Sequence, residues 1–506
     1  MVGCEDGGSP GRERPGLLML VPIGEWRPDL PALGNPGAME AKNVQPRESS
    51  YAPFRSLRDY SAALGGRCIG YFTARSLAGV TTVFAGTPTK LYSLTGSSLS
   101  WTDVTRTSGG DYAADEHWTF NQFGDYVTAW NGVDAPQVFQ LGVSTEFSAL
   151  SGSPPMARYA CNARDQVMIG HVAAANQTVA WCGTNSLTTW GYDASLQSDS
   201  QELPGGGPIM ALVGRLDPHI WCQTSIYTAI FAGPPYFWNF NQVELERGTL
   251  FPKSVVGFGT LSFGLCADGL YVFDGAGAKP IAQGKVNKWF FDRFDQGYPD
   301  RINAAVDPIA QCIAWAFPGP GHVTGDPNMI LFFHWPTGRF AYAEVQLEYL
   351  AQGGQTFGFT LEQLDTPMPN IDAGVFSLDS RVWTAQGSPI LSAITTAHKL
   401  AFFTGATLEA TVDTGEAQLV AGRRAFVSKL RPLVDGENCS ISVKAITRNR
   451  QQDAVTTGLA VAVNDLGYAP LRSNARYQRA RIIVAAGGDW DHIHGIEVDA
   501  RPAGAR

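Results

Sequence analysis

Apolar and polar positions alternate in short runs along most of the chain, and the runs are cut by Gly, Asn and Asp. Between about residues 65 and 385 the pattern repeats. Each copy holds an apolar strand, a turn, and a second strand with an aromatic near its start. Examples are TTVFAGTPTKLYSLTG from Thr81, DYVTAWNGVDAPQVFQL from Asp125 and SFGLCADGLYVFDGAG from Ser262. The equivalent aromatics are Tyr92, Phe139, Trp181, Tyr227, Tyr271, Phe332 and Phe376, spaced by 47, 42, 46, 44, 61 and 44 residues. A period near 45 leaves room for four strands per unit and predicts an all-β fold, a β-propeller of six to seven blades. One four-stranded sheet cannot bury both faces, whereas stacking units around an axis buries each against the next. A large β-sandwich with coincidental spacing is the competing architecture.

A helical period is confined to Lys285 to Phe294, where Val286, Trp289, Phe290 and Phe294 share one face. This excursion between blades accounts for the 61-residue interval. From residue 386 to 506 the strands lengthen and alternate more cleanly, as in ENCSISVKAITR, TGLAVAVN and HIHGIEVDA. Ile496, Val498 and Ala500 face one way there, and Glu497 and Asp499 the other. These residues read as a separate β-sandwich platform.

Before the repeat, residues 1–18 are rich in Gly, Pro and charge without periodicity and read as a disordered tail. The ordered pattern opens at Met19, a candidate first residue. Residues 19–64 form an extended N-terminal arm punctuated by Pro28, Pro31, Pro36, Pro46 and Pro53, with a short helix expected at Leu57 to Leu64. Its apolar side chains, Trp26, Leu30, Leu33, Val44, Tyr51 and Phe54, are expected to dock on the sandwich or on a neighbouring subunit. The propeller is expected to fold without them.

Composition narrows function further. Charged residues are 16% of the 506, against ~25% in ordinary soluble domains, so much of the surface is expected to meet other protein. The net charge is −9, which argues against a protein that grips DNA by its phosphates. Residues 386–506 carry 14 Lys+Arg and 11 Asp+Glu, a net +3, leaving −12 (23 − 35) for the remainder. The eight cysteines, Cys4, Cys68, Cys161, Cys182, Cys222, Cys266, Cys312 and Cys439, contain no C-x-x-C pair and read as buried free thiols. No apolar run reaches the ~18 residues of a membrane span, so no anchor of its own is expected.

Catalytic signatures are weak. His492 and His494 share a strand face and, with Asp489 and Asp491 nearby, form a candidate metal pair that lacks a convincingly spaced third ligand. Asp292 and Asp295 have a spacing that loops produce without catalysis. NSLTTW at Asn185 to Trp190 lacks the Asp and Gly of the Asp-box turns found in propeller hydrolases. The string GGSPG at Gly7 falls in the tail, with no strand before it to make a nucleophile elbow. Phosphate-loop and H-E-x-x-H motifs are absent from the sequence. No catalytic residue, cofactor or metal is therefore expected. Arg472, Arg476, Arg479 and Arg481 cluster before and within one strand, where they suit DNA phosphate, an acidic neighbour or, most simply, carboxylates of their own chain.

Three stretches carry a resemblance. The arm has P-D-L-P-x-L, N-P-G, E-A-K-N-V and Y-x-P-F in sequence between Ile23 and Leu57. RINAAVDPIAQCIAWAFP is followed by NMILFFHWPTGRFAYAEV. The ending is HKLAFFTGATLEATVDTGEAQLVAGRRAFVSKLRPLVDG from His398, then ARYQRARIIVAAGGDWDHIHGIEVDARPAGAR from Ala475. Together they resemble the tail nozzle proteins of short-tailed bacteriophages, the tail tubular protein B or packaged-DNA stabilisation protein family. The resemblance implies a virion protein, assembled in the host cytoplasm as a ring, expected to be a hexamer. That ring lies below an adaptor ring, with a needle, plug or fibres beyond it, and conducts double-stranded DNA into the host. Six acidic copies would let DNA slide, with Glu497 and Asp499 as candidate wall residues and Arg479 and Arg481 in inter-subunit pairs. The alternative is a propeller glycoside hydrolase or depolymerase acting on host surface polysaccharide.

Overall fold

Turn chemistry every few residues forces the chain back on itself, and the result is a series of short antiparallel sheets. A computed structural model describes residues 17–94, 99–115, 117–354 and 389–504. The chain divides into two units: residues 42–48 with 54–408, and residues up to 41 with 49–53 and 409 onward.

The larger unit is a seven-bladed β-propeller. Among the described residues, seven antiparallel arrays of four strands follow one another along the chain. Their first strands, from Gly70–Arg75 through Thr119–Phe123, Ala157–Ala163, Ile209–Val213, Val256–Phe258 and Asn303–Asp307 to Tyr349–Gly354, line the axis. The six repeat aromatics from Tyr92 to Phe332 each fall in the third strand of successive blades. Phe376 lies outside the described residues.

The core sits between blades. Phe84 of the first blade packs edge-on to Phe139 of the second, with centroids 5.2 Å apart. Trp130 of the second joins Val167 and Ile169 of the third. Trp221 of the fourth joins Cys266 and Phe273 of the fifth. The short helix Asn287–Phe291 lies between blades five and six and buries Trp289 and Phe290, as its period predicts.

The seventh blade closes the ring, and it corrects three expectations. Its strands Tyr349–Gly354, Pro389–Ile394 and Lys399–Phe402 are completed by Arg58–Ala63, paired antiparallel through Lys399↔Ala63 and Ala401↔Asp59. Residues 58–63 are thus a strand, not the end of a short helix. Tyr60 and Ser61 are both buried at the centre of this strand, and its ends are exposed or half-buried. Residues 389–408 belong to the propeller rather than to the sandwich. The arm is not dispensable to the propeller either: Val44 is buried, and Phe54 packs 4.8 Å from Phe332 and 4.9 Å from Phe403.

The second unit is the sandwich. One sheet holds Leu17–Pro22, His492–Pro502, Ala425–Asp435 and Ala469–Ala475 in that order, with Tyr51 pairing Ile493. The other holds Ala410–Asp413, Tyr477–Val484 and Ile441–Arg448, with Thr456–Thr457 and Val461–Ala462 at its far edge. Burial alternates strictly along Tyr477–Val484 and Ala469–Ala475, so one face of each sheet points inward. Val427, Leu430, Ala445, Ala480, Ile496 and Val498 meet there around a cavity of only about 30 Å³. Leu17 and Leu18, assigned above to a disordered tail, pair with Ala500 and Asp499. Residues 1–16, with Cys4 and the GGSPG string, lie outside the described residues.

Candidate functional site

The arm residues separate by unit. In the sandwich unit, Trp26 is fully buried, its backbone N–H donating to the Tyr51 hydroxyl at 2.9 Å and its indole N–H to the Met39 carbonyl at 3.3 Å. The arm is held there by backbone bonds: Gly34 N–H to Glu416 O, Glu416 N–H to Ala32 O, and Met39 N–H to Asp413 O. Leu33 bridges Glu416 and stays partly exposed, as does Leu30. Val44 and Phe54 belong to the propeller. Prolines keep this chain extended, so its N–H and C=O groups bond to another segment instead of to a helix of their own.

The four arginines are not one patch. Arg481 makes a bidentate pair with Asp413, at 2.6 and 2.8 Å. On the adjacent strand, opposite Tyr477, Arg448 pairs with Glu416 through Nε at 2.7 Å, and that hydrogen-bonded carboxylate holds the guanidinium still more firmly protonated. Both carboxylates are buried, so these guanidinium pairs supply the charge that makes their burial tolerable. Arg481 thus has its carboxylate partner within its own chain. Arg479 shares the face of Arg481, Arg472 is exposed on the other sheet, and Arg476 lies over the Tyr477 ring at 5.6 Å.

Glu497 and Asp499 do lie on the non-core face of the last strand. Arg431 reaches Glu497 at 3.3 Å, and the Ser428 hydroxyl donates to Asp499 at 2.9 Å. Lys429 stands opposite Asp499 in register, and Leu18 and Leu20 stand opposite Asp499 and Glu497 on the other side. Both leucines are exposed, at 68% and 59%. This face is therefore mixed and locally neutralised. It is not an acidic wall.

The rings of His492 and His494 lie 5.4 Å apart and tilted by 38°, yet each has another partner: His492 Nδ1 lies 2.8 Å from the Ser50 hydroxyl, and His494 Nε2 lies 2.9 Å from Asp435. Among the described residues no three His, Cys, Asp or Glu side chains converge as metal ligands would. Asp292 pairs with Lys288, and Asp295 with His322 and the Gly297 N–H, so the two do not face a shared substrate position.

A surface that the pattern concealed is the projecting segment after Arg448. TGLAVAVN alternates like a core strand, but residues 451–460 are exposed throughout, with Leu459 at 89%. Among the described residues it pairs to one edge of Ile441–Arg448, and of its apolar side chains Val461 and Val463 are half-buried while Leu459 is left exposed. The sequence signal for this was the flanking run of Gln, Asp and Thr, which a core strand would not carry.

The six described thiols other than Cys439 are buried and free, and desolvation pushes them up, Cys68 and Cys161 to about 12. Thiols so far from the thiolate form are packing groups.

No family model matches the chain, and no curated protein does. Solved structures similar to it include the computationally designed Ika8 protein, 10% identical over 70% of this chain and 99% of that one, with a TM-score of 0.37. A chain of the Mitotic Checkpoint Complex is 10% identical over 79% and 96%, with a TM-score of 0.38. The Neurospora crassa Pan2 WD40 domain is 9% identical over 58% and 84%, with a TM-score of 0.34. Likeness at this level carries no inference about function.

Proposed function

We propose that this chain is a structural subunit of a short-tailed phage tail, the nozzle ring that continues the DNA channel below the adaptor. The resemblance carried by residues 23–57, 301–318 with 328–345, and 398–436 with 475–506 is the observation behind the reading. Its residues supply framework: buried Trp26 and Tyr51, the sixth blade, and the long strands of the sandwich. A projecting apolar segment and the Leu18–Leu20 face offer surface of the kind that assembly covers.

Sedimentation velocity of the purified chain, alone and with its adaptor, tests the reading. A hexamer of 54.4 kDa subunits has a mass of about 330 kDa. A chain that stays monomeric under both conditions sinks the proposal. Release of reducing sugar from host polysaccharide by that monomer would favour the depolymerase alternative.

A further inference from the structure

In a ring of like-handed blades every inner strand starts at the same end of the axis, so residues just before those strands crowd one mouth. Three segments bring chemistry there. Lys253, on the turn Pro252–Ser254 before the fifth blade, places its ammonium 5.8 Å from the ring centroid of Tyr349, which opens the seventh. A side chain can span blades five and seven only through the axis. Tyr349 and Tyr71 in turn wall an axial cavity of about 470 Å³.

Across the mouth, His117 precedes the second blade, and Arg158 and Tyr159 begin the third. His117 and Tyr159 are 7% and 4% exposed, with ring centroids 5.1 Å apart. The Thr119 hydroxyl lies 2.7 Å from His117 Nε2 and donates its one proton to the Arg158 carbonyl at 2.9 Å. His117 Nε2 must therefore be the donor to Thr119, which leaves Nδ1 as a bare acceptor. That Nδ1, the Tyr159 hydroxyl and Arg158 Nε are all buried without a hydrogen-bond partner.

Burial, reinforced by the nearby charges of Lys253, Arg158 and His171, holds His117 well below the ordinary histidine range. It is neutral at pH 7. The carboxylate facing this group is Asp300, 3.9 Å from Arg158. The unmet groups thus comprise donors from Arg158 and Tyr159 beside the Lys253 charge, and one acceptor at His117. Buried polar groups of this kind are costly unless a partner meets them.

We propose that the mouth binds one hydrogen-phosphate group, its oxygens taken by Lys253, Arg158 and the Tyr159 hydroxyl and its P–OH donated to His117 Nδ1. Sulfate offers the same oxygens but no proton at pH 7, so the acceptor selects against it. Free hydrogen phosphate carries that proton at pH 7, whereas a phosphomonoester, with its second pKa at about 6, carries it only in its minor monoanionic form.

Isothermal titration of the full chain with inorganic phosphate, sulfate, glycerol phosphate and chloride at equal ionic strength tests this. Phosphate is expected to bind and to raise the melting temperature, and sulfate to bind at least about tenfold more weakly, the worth of one hydrogen bond to a charged group. Lys253→Met and Tyr159→Phe should each weaken phosphate about tenfold. The tyrosine variant keeps the ring packing, and its melting temperature without phosphate checks its fold. Glycerol phosphate binding as well as phosphate, or failing to bind beside phosphate that does, upholds the site and decides which source fits it. Phosphate acting no differently from chloride overturns the site, as does unchanged binding by both folded variants.

Discussion

His219 sits against the Phe273 ring at 4.7 Å with its Nδ1 2.9 Å from the Ser262 hydroxyl. Desolvation, with the nearby Arg215 charge second, lowers it to about 4. An unfolded histidine takes a proton near pH 6.5, so between that value and about 4 the unfolded state binds more protons than the folded one. Stability is therefore full above pH 6.5 and falls as pH drops toward 4, by up to roughly 3 kcal/mol for this residue. Urea denaturation at pH 7 and pH 4.5 should show the loss, and His219→Gln should remove that part of it. An unchanged pH slope in the variant would assign the acid sensitivity elsewhere. The sequence did not mark His219, nor His117, Tyr159 and Lys253. His117, Tyr159 and Lys253 are separated by up to 136 residues, and only closure of the ring about an axis brings them to one mouth. Individual aromatics were legible for the opposite reason. Tyr92 and its equivalents repeat because each faces the same problem of covering the next sheet.

Among the elements, the strand Arg58–Ala63 shows what periodicity misses. A strand supplied from far away in sequence has no hairpin turn beside it, so RDYSAA looked like the end of a helix. Tyr60 meets the ring of Phe402 edge-on at 5.0 Å and is buried. Tyr60→Ala should cost about 3 kcal/mol, as removal of a buried aromatic does. Replacing residues 58–63 with Gly and Ser should leave Pro389–Ile394 and Lys399–Phe402 exchanging their amide hydrogens quickly while the third blade stays protected. Uniform protection in that variant would mean the blade closes without this strand. The sandwich was legible because its strands alternate cleanly, and its boundary was misjudged although the last two propeller strands, PILSAI and KLAF, are short apolar runs buried on both faces rather than alternating. TGLAVAVN misled in the other direction: alternation reports amphipathicity, and whether a face is covered depends on another sheet.

For the whole molecule, charge bears on the proposed passage of DNA. With a net charge of −9, and with Arg481 of the arginine cluster engaged by buried Asp413, the chain offers DNA phosphate little net attraction. Duplex DNA should therefore bind the isolated chain more weakly than ~10⁻⁴ M at physiological salt. Fluorescence anisotropy with a labelled duplex measures this, and sub-micromolar binding would remove the sliding picture. Repulsion in such a channel cannot rest on Glu497 and Asp499, which sit beside Arg431, Lys429 and two leucines.

The closing pair Lys399↔Ala63 has a consequence in time. When residue 63 leaves the ribosome, its partner is 336 residues from being made. At ~5–20 residues per second the early strand waits roughly 17–67 s with its edge unpaired. Blades one to six can form while it waits, because each is complete within its own stretch of chain. The ring itself cannot. Its last seam must be sewn after nearly four-fifths of the protein exists, by a strand that has kept clear of every other edge. Such an edge recruits the wrong neighbour easily, so crowded synthesis of many copies favours exchange of this strand between chains before any ring can close.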